Sequence, residues 1–230
     1  MTSAWQTVAT VGTSEGALEL RRRRDDWLMV IDGRVLMNSF SRNSEEQLSQ
    51  LAVDRLARPA GRVLIAGLGM GFTLRALLDR APAQARVTVA ELNPVVVEWC
   101  RGPLGPATDH AILDPRVSVE VTDVAAVIAG ASPGAFELIL LDLYEGPNSS
   151  TQTADDPFYS ERALARTHRA LAAGGVAGCW SEDADAPFGR RFAAAGFTVT
   201  KHSLRSGASR HIVYLGKQRA TSRARSAPRR

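Results

Sequence analysis

The sequence predicts an α/β fold: a mainly parallel seven-stranded sheet with helices on both faces, preceded by a small N-terminal β-hairpin region. Three observations carry this. From Gly61 onward, short apolar runs alternate with helical patterns. The runs are apolar at consecutive positions, as in Val63-Leu-Ile-Ala, which marks strands covered on both faces. One of them, Val63–Ala66, runs directly into Gly67, Gly69 and Gly71 and then into a helical segment, Phe72-Thr-Leu-Arg-Ala-Leu-Leu.

Taken in order, residues 6–39 read as short strands. Ala17-Leu-Glu-Leu alternates, Trp27-Leu-Met-Val-Ile meets the turn dipeptide Asp32-Gly33, and Arg34-Val-Leu-Met returns. The basic run Arg21–Arg24 stands beside Asp25 and Asp26 and reads as a hairpin turn. Residues 43–57 form a helix with Leu48, Leu51, Ala52 and Leu56 on one face, Asn43 or Ser44 as its cap, and Glu45 and Glu46 in its first turn. Strands follow at 62–66, 86–90, 116–121, 136–142, 174–180, 196–201 and 210–215, with helices at 72–80, 94–101, 123–129, 158–172 and 185–194. Gly174-Gly175 ends the helix at 158–172. The last two strands are joined by the polar stretch Arg205-Ser-Gly-Ala-Ser-Arg, so they pair antiparallel.

The organisation expected is 1–42 as the β-hairpin region, 43–216 as the nucleoside-binding sheet domain, and 217–230 as a basic disordered tail. A chain of 230 residues with 45% hydrophobic and 23% charged residues suits one α/β domain with a small appendage. The net charge of +4 is carried by the tail: Lys217, Arg219, Arg223, Arg225, Arg229 and Arg230 stand there without an acid, and the remainder holds 22 basic against 24 acidic residues. That near-neutral body, with no aromatic-basic stripe, argues against nucleic acid as substrate. No apolar run is long enough to cross a membrane, no signal peptide is read at the N-terminus, and Cys100 and Cys179 suit reduced thiols, so a cytoplasmic location is expected. Four scattered histidines give no metal-ligand spacing, and no metal is expected.

The chemistry is expected beyond the carboxyl ends of the strands. Gly67, Gly69 and Gly71 let the backbone approach a ligand, and Glu91, at the tip of the next strand, can hold two ribose hydroxyls. Phe72 and Leu74 depart from the dinucleotide fingerprint, and no Lys-Ser/Thr pair completes a P-loop. Three successive strands end in acids, Glu91, Asp123 and Asp142. Such a set repels phosphate and attracts a sulfonium cation, which favours S-adenosylmethionine or its decarboxylated form over NAD or ATP. Asp123 also fits as the cap of the helix at Val124. Asp142 and Glu145 form a pair able to hold an amine and remove its proton during attack on a sulfonium carbon. Tyr144 lies between them as a substrate-packing or loop-shaping residue, and residues 146–157 read as a gate.

With these segments in view, the chain resembles the spermidine synthase family, and among it bacterial spermidine-synthase-like proteins. The resemblance runs from about Trp27 to Gly216 and is carried by Gly-Leu-Gly-Met-Gly-Phe-Thr-Leu-Arg at 67–75, Val-Val-Glu-Trp at 96–99 and Gly-Pro-Leu at 102–104. It implies a Rossmann-like class I methyltransferase fold, decarboxylated S-adenosylmethionine or S-adenosylmethionine as cofactor, and a small-molecule amine acceptor in polyamine biosynthesis. A homodimer is left open.

Departures fall on the acceptor side. Met70 replaces the acid that helps hold the aminopropyl end, Glu145 replaces the second Asp of the strand-four motif, and the Pro-Thr-Tyr-Pro stretch is missing. The hairpin Gln is replaced by Leu36 or Met37, and Glu45-Glu46-Gln47 stands at the following Tyr-His/Gln-Glu, which puts Glu46 among the substrate-binding candidates. Trp180 takes the place of the Gln after strand five. Three readings follow: aminopropyl transfer to an amine, methyl transfer to a small amine or hydroxyl, and a non-catalytic nucleoside-binding protein.

Overall fold

The computed structural model describes residues 4–144, 146–206 and 209–219. A four-stranded antiparallel sheet opens the chain, in the order β1 (Gln6–Thr13), β2 (Gly16–Arg23), β3 (Asp26–Ile31) and β4 (Arg34–Asn38). It is larger than the hairpin expected, because β1 pairs along the whole of β2. Arg21, Arg22 and Arg23 belong to β2, and only Arg24 and Asp25 turn, with Arg24 at φ 58°. The inner face of this sheet, Leu18, Leu20, Trp27 and Met29, packs into the main core.

Helix α1 (Asn43–Arg55) leads to the second sheet, built from β5 (Arg62–Ala66), β6 (Arg86–Glu91), β7 (Val117–Val121), β8 (Phe136–Leu141), β9 (Leu171–Ser181), β10 (Phe197–Ser206) and β11 (Ser209–Gln218). Their spatial order is β10-β11-β9-β8-β5-β6-β7, with β11 the one strand antiparallel to its neighbours. Helices α2 (Phe72–Leu78), α3 (Pro94–Arg101), α4 (Val124–Gly130), α5 (Glu161–Ala170) and α6 (Ala186–Ala194) complete the alternation.

The period-two alternation of side chains explains why the strands are apolar throughout. Val63, Ile65, Leu138 and Leu140 face one core with α1, α2 and α3. Leu64, Ala66, Ile139 and Leu141 face a second core with α4, α5 and α6. The predicted sheet, its seven strands and its antiparallel last pair are therefore observed.

Three local expectations are corrected. Neither Asn43 nor Ser44 caps α1: the cap position is Arg42, and the Asn43 amide donates instead to the carbonyl of Arg205 at 2.7 Å. Gly174-Gly175 does not end a helix. Helix α5 stops at Ala170, and the two glycines lie inside β9, where the pairing with β8 slips between Phe136 and Leu138. A side chain at 175 would strike the carbonyls of Ala172 and Glu137, so the bulge needs glycine. Lys217 and Gln218, expected in the tail, close β11, and the Gln218 amide donates to the carbonyls of His168 and Leu171.

Candidate active site

Strand order reverses between β5 and β8, and their carboxyl ends open into a cavity of about 810 Å³. The glycine loop after β5 takes a left-handed backbone that favours glycine: φ is 84° at Gly67, 51° at Gly69 and 87° at Gly71. A Cβ at Gly67 would run into the carbonyl of Asp142, and one at Gly69 into Met37 Sδ. Gly67 and Gly69 line the cavity; Gly71 does not, and sits over Thr108 as the cap of α2.

Glu91 closes β6 and is 7% exposed. Its Oε2 accepts from the Leu68 N–H at 2.8 Å and its Oε1 from Asn93 N–H at 2.9 Å. Burial pushes its carboxyl up, against the pull of those two amides. It thus braces the glycine loop while lining the cavity, and an ionised carboxylate retains acceptor positions for hydroxyls. Cys100 supports the same loop by donating to the carbonyl of Gly69, and burial pushes its thiol up to about 12. Asp123 both lines the cavity and caps α4, accepting from Ala125 N–H at 2.8 Å.

Asp142 follows β8, beside the glycine loop, and its backbone N–H donates to Ala66 at 3.0 Å. Thr73 Oγ1, in the first turn of α2, stands 2.5 Å from Asp142 Oδ2 and 3.3 Å from the Glu45 carbonyl. Burial, and then the neighbouring Glu45 carboxylate, push Asp142 up to about 7. Glu45 lines the cavity too, accepts from Ser44 Oγ at 2.7 Å, and is itself pushed up by burial.

The residue from α1 is therefore Glu45 and not Glu46. Glu46 is turned away and pairs with Arg42 at 2.9 Å. Adjacent helical residues point about 100° apart, so only one of the two can face inward. The signal was in the sequence: Glu45 precedes Leu48 and Ala52 by three and seven positions, on the apolar face.

Trp180 and His211 form one wall, with ring centroids 5.0 Å apart. Trp180 was expected here; His211 was missed, because an isolated histidine in an apolar strand carries no pattern. Leu36 and Met37 of β4 line the cavity, and Met37 Sδ lies 3.1 Å from Met70 N. Met70 itself is fully buried in the core and contributes nothing to the cavity wall. Tyr144 lines the mouth, 45% exposed, with the Arg34 guanidinium 4.8 Å from its ring. Glu145 lies outside the described residues. Ser149 of the predicted gate is held to Asp185 ahead of α6, and its hydroxyl accepts from Arg191 at 2.9 Å.

Among the described residues seven carboxylates line this cavity, and the basic side chains there are Arg34 and His211. The described lining is predominantly acidic. No cluster of His, Cys, Asp or Glu fit to hold a metal occurs among the described residues, and no helix among them is long and apolar enough to cross a membrane.

The chain resembles known proteins in the same way. Over 157 residues, 67% of the chain, it is 30% identical to the polyamine aminopropyltransferase of Mycobacterium tuberculosis. Its fold superposes on the crystal structure of spermidine synthase from Thermotoga maritima with a TM-score of 0.76 at 18% identity, covering 94% of this chain and 74% of that one. The chain is spermidine-synthase-like. It spans only 29% of the length of the mycobacterial relative. Putrescine N-methyltransferase 1 of Nicotiana tabacum is also similar, 30% identical over 131 residues, 57% of this chain and 33% of that protein. No family model matches the chain.

Proposed function

We propose that the spermidine-synthase-like chain is a group transferase that binds decarboxylated S-adenosylmethionine and passes its aminopropyl group to a small amine. The observation that carries this is the carboxylate pair Asp142 and Glu45 at the switch point, in a cavity with one arginine along its described wall. A ligand bearing a sulfonium and an ammonium suits that field; the added carboxylate of S-adenosylmethionine opposes it.

The remaining residues fit the nucleoside. Glu91 takes ribose hydroxyls beside the glycine loop, and Asp123 takes the adenine amino group. Gly67 and Gly69 let the backbone close on the chain that carries the sulfur. When bound, the sulfonium supplies the leaving group: the amine nitrogen bonds to the adjacent methylene carbon, the C–S bond breaks to release methylthioadenosine, and the nitrogen loses a proton. Asp142, held near neutrality by burial and Glu45, orients the amine and takes that proton. Glu145 is the second carboxylate of this proposal, as base or as partner of the amine's charge. Tyr144, Trp180 and Met37 shape the acceptor end, so the acceptor differs from one held by a glutamine at position 180.

The test is incubation with decarboxylated S-adenosylmethionine and a panel of small mono- and diamines, followed by mass spectrometry. Methylthioadenosine together with an amine heavier by one aminopropyl group supports the proposal. A second reading, methyl transfer, is favoured by the similarity to putrescine N-methyltransferase. Release of S-adenosylhomocysteine from S-adenosylmethionine would establish it instead.

A further inference from the structure

We infer that the amine accepted here is a primary monoamine with a flat apolar body, laid against the Trp180 and His211 rings, and not a diamine; this rests on the reading of the chain as a group transferase. The sheet sets out the cavity wall as a row. In the order β11-β9-β8-β5-β6-β7, the strands bring His211, Trp180, Asp142, Gly67, Glu91 and Asp123 in turn to this end. On that reading the nucleoside takes the half from Gly67 to Asp123. An acceptor that meets it beside Asp142 therefore extends over β9 and β11.

What it meets there is a pair of rings. Strands β8 and β9 pair up to Leu141 and Cys179, which sets Trp180 beside Asp142 at the next step. Trp180 pairs in turn with Val213 on β11, and His211, two residues from Val213, shares its face. The two rings stand 5.0 Å apart and 33° from parallel, and both line the cavity. Trp180 packs on the main core, as do Ile31, Leu36 and Met37 of the N-terminal sheet, which line the same cavity. From Asp142 to His211 is two strand spacings, about 10 Å, which accommodates a two-carbon linker and one ring. An aromatic body stacked on such a wall gains more than its buried area alone provides.

A second ammonium, by contrast, needs an acid at that end. Glu91 and Asp123 stand on the other side of Asp142 in the row, and Glu15 joins them through Asn93. Glu45 acts on Asp142 itself. Asp156 turns its Oδ1 to the N–H groups of Phe158 and Tyr159. Among the described carboxylates of the cavity this leaves Glu182, and the Arg34 guanidinium faces it at 3.5 Å. Arg34 also lies 4.8 Å from the Tyr144 ring at the mouth. It brings to the acceptor end a fixed positive charge, which a second ammonium meets and a neutral body does not.

The experiment titrates phenethylamine and 1,4-diaminobutane by calorimetry into protein saturated with methylthioadenosine, and separately follows methylthioadenosine release from decarboxylated S-adenosylmethionine with each amine. Wild type should bind phenethylamine about fivefold or more tighter than the diamine. Trp180→Leu should weaken phenethylamine about threefold or more while holding methylthioadenosine within about twofold. Arg34→Gln, at a side chain 53% exposed, tests the charge without touching the core: it should strengthen the diamine about twofold or more and leave phenethylamine unaltered. Diamine binding equal to or tighter than phenethylamine in wild type would overturn the inference, and methylthioadenosine release with the diamine would then leave the proposed function standing. Binding of neither amine, or unchanged phenethylamine affinity in Trp180→Leu, would overturn it as well. Phenethylamine bound as inferred, with no methylthioadenosine released by any amine, would remove the functional reading and uphold the monoamine slot.

Discussion

Asp142 holds its proton to about pH 7 in the folded protein, against an ordinary value of 3.8. The sign of the consequence is the reverse of that for a salt-bridged acid. As pH rises from 4, the unfolded chain ionises first and the native state retains the proton. Stability therefore falls between about pH 4 and pH 7 and levels off above it. Asp142→Asn removes this dependence. We expect the ligand-free variant to match wild type near pH 4 and to exceed it by about 2–4 kcal/mol at pH 8 in urea unfolding, the order set by a shift of this size. A wild type no less stable than the variant at pH 8 would show that Asp142 is solvated. At the nucleoside end, Glu91→Ala should cost about 1.5–3 kcal/mol of nucleoside affinity, the range for hydrogen bonds to a charged group. Because Glu91 also braces Leu68 and Asn93, the comparison needs a variant confirmed folded by circular dichroism. Glu145→Gln keeps the shape, removes basicity, and should cut turnover by about 10²–10⁴-fold across the pH range.

Elements explain what could be read from residues alone. The glycine loop, Glu91, Asp123 and Asp142 were legible because each sits at a strand end, and strand ends are marked by apolar runs that stop abruptly. Residues contributed by helices and by the antiparallel edge were harder. Glu46 and Glu45 differ by one position, and only the helical face separates them. His211 entered the cavity through the pairing of β11 with β9, a long-range contact with no local signature. The cap of α1 was misplaced because Asn43 found a partner across the molecule, on β10. Asp123 has two roles that one pair of substitutions separates. Asp123→Ser keeps a capping oxygen and removes the charge; Asp123→Ala removes both. The alanine variant should lose about 0.5–2 kcal/mol of stability relative to serine, while both should lose the same nucleoside affinity. Stability equal in the two variants would remove the cap from the account.

On the scale of the whole molecule, the sheet order brings Glu91, Asp123 and Asp142 to one end, and the N-terminal sheet closes the side. Glu15, at the β1–β2 turn, accepts from the Asn93 side chain at 2.9 Å, so this sheet reaches the end of the cavity proposed for the nucleoside, while Arg34 and Met37 line the part proposed for the acceptor. That sheet was only half legible, because strands that cover a site instead of building a core lack a full apolar face: β1 is exposed along most of its length. The basic tail is expected to be dispensable, but the cut must follow Arg219. Removal of 220–230 should leave melting temperature and nucleoside affinity unaltered, whereas removal from Lys217 onward also takes away the bonds of Gln218 to His168 and Leu171 and should lower the melting temperature. The central claim is that this acid-lined cavity selects a ligand carrying both a sulfonium and an ammonium without a carboxylate. Calorimetric titration of the wild-type protein with S-adenosylmethionine and with its decarboxylated form, in one buffer at pH 7.5, measures that directly. The account predicts tighter binding of the decarboxylated ligand, by about tenfold or more. Equal affinity, or tighter binding of S-adenosylmethionine, would contradict it.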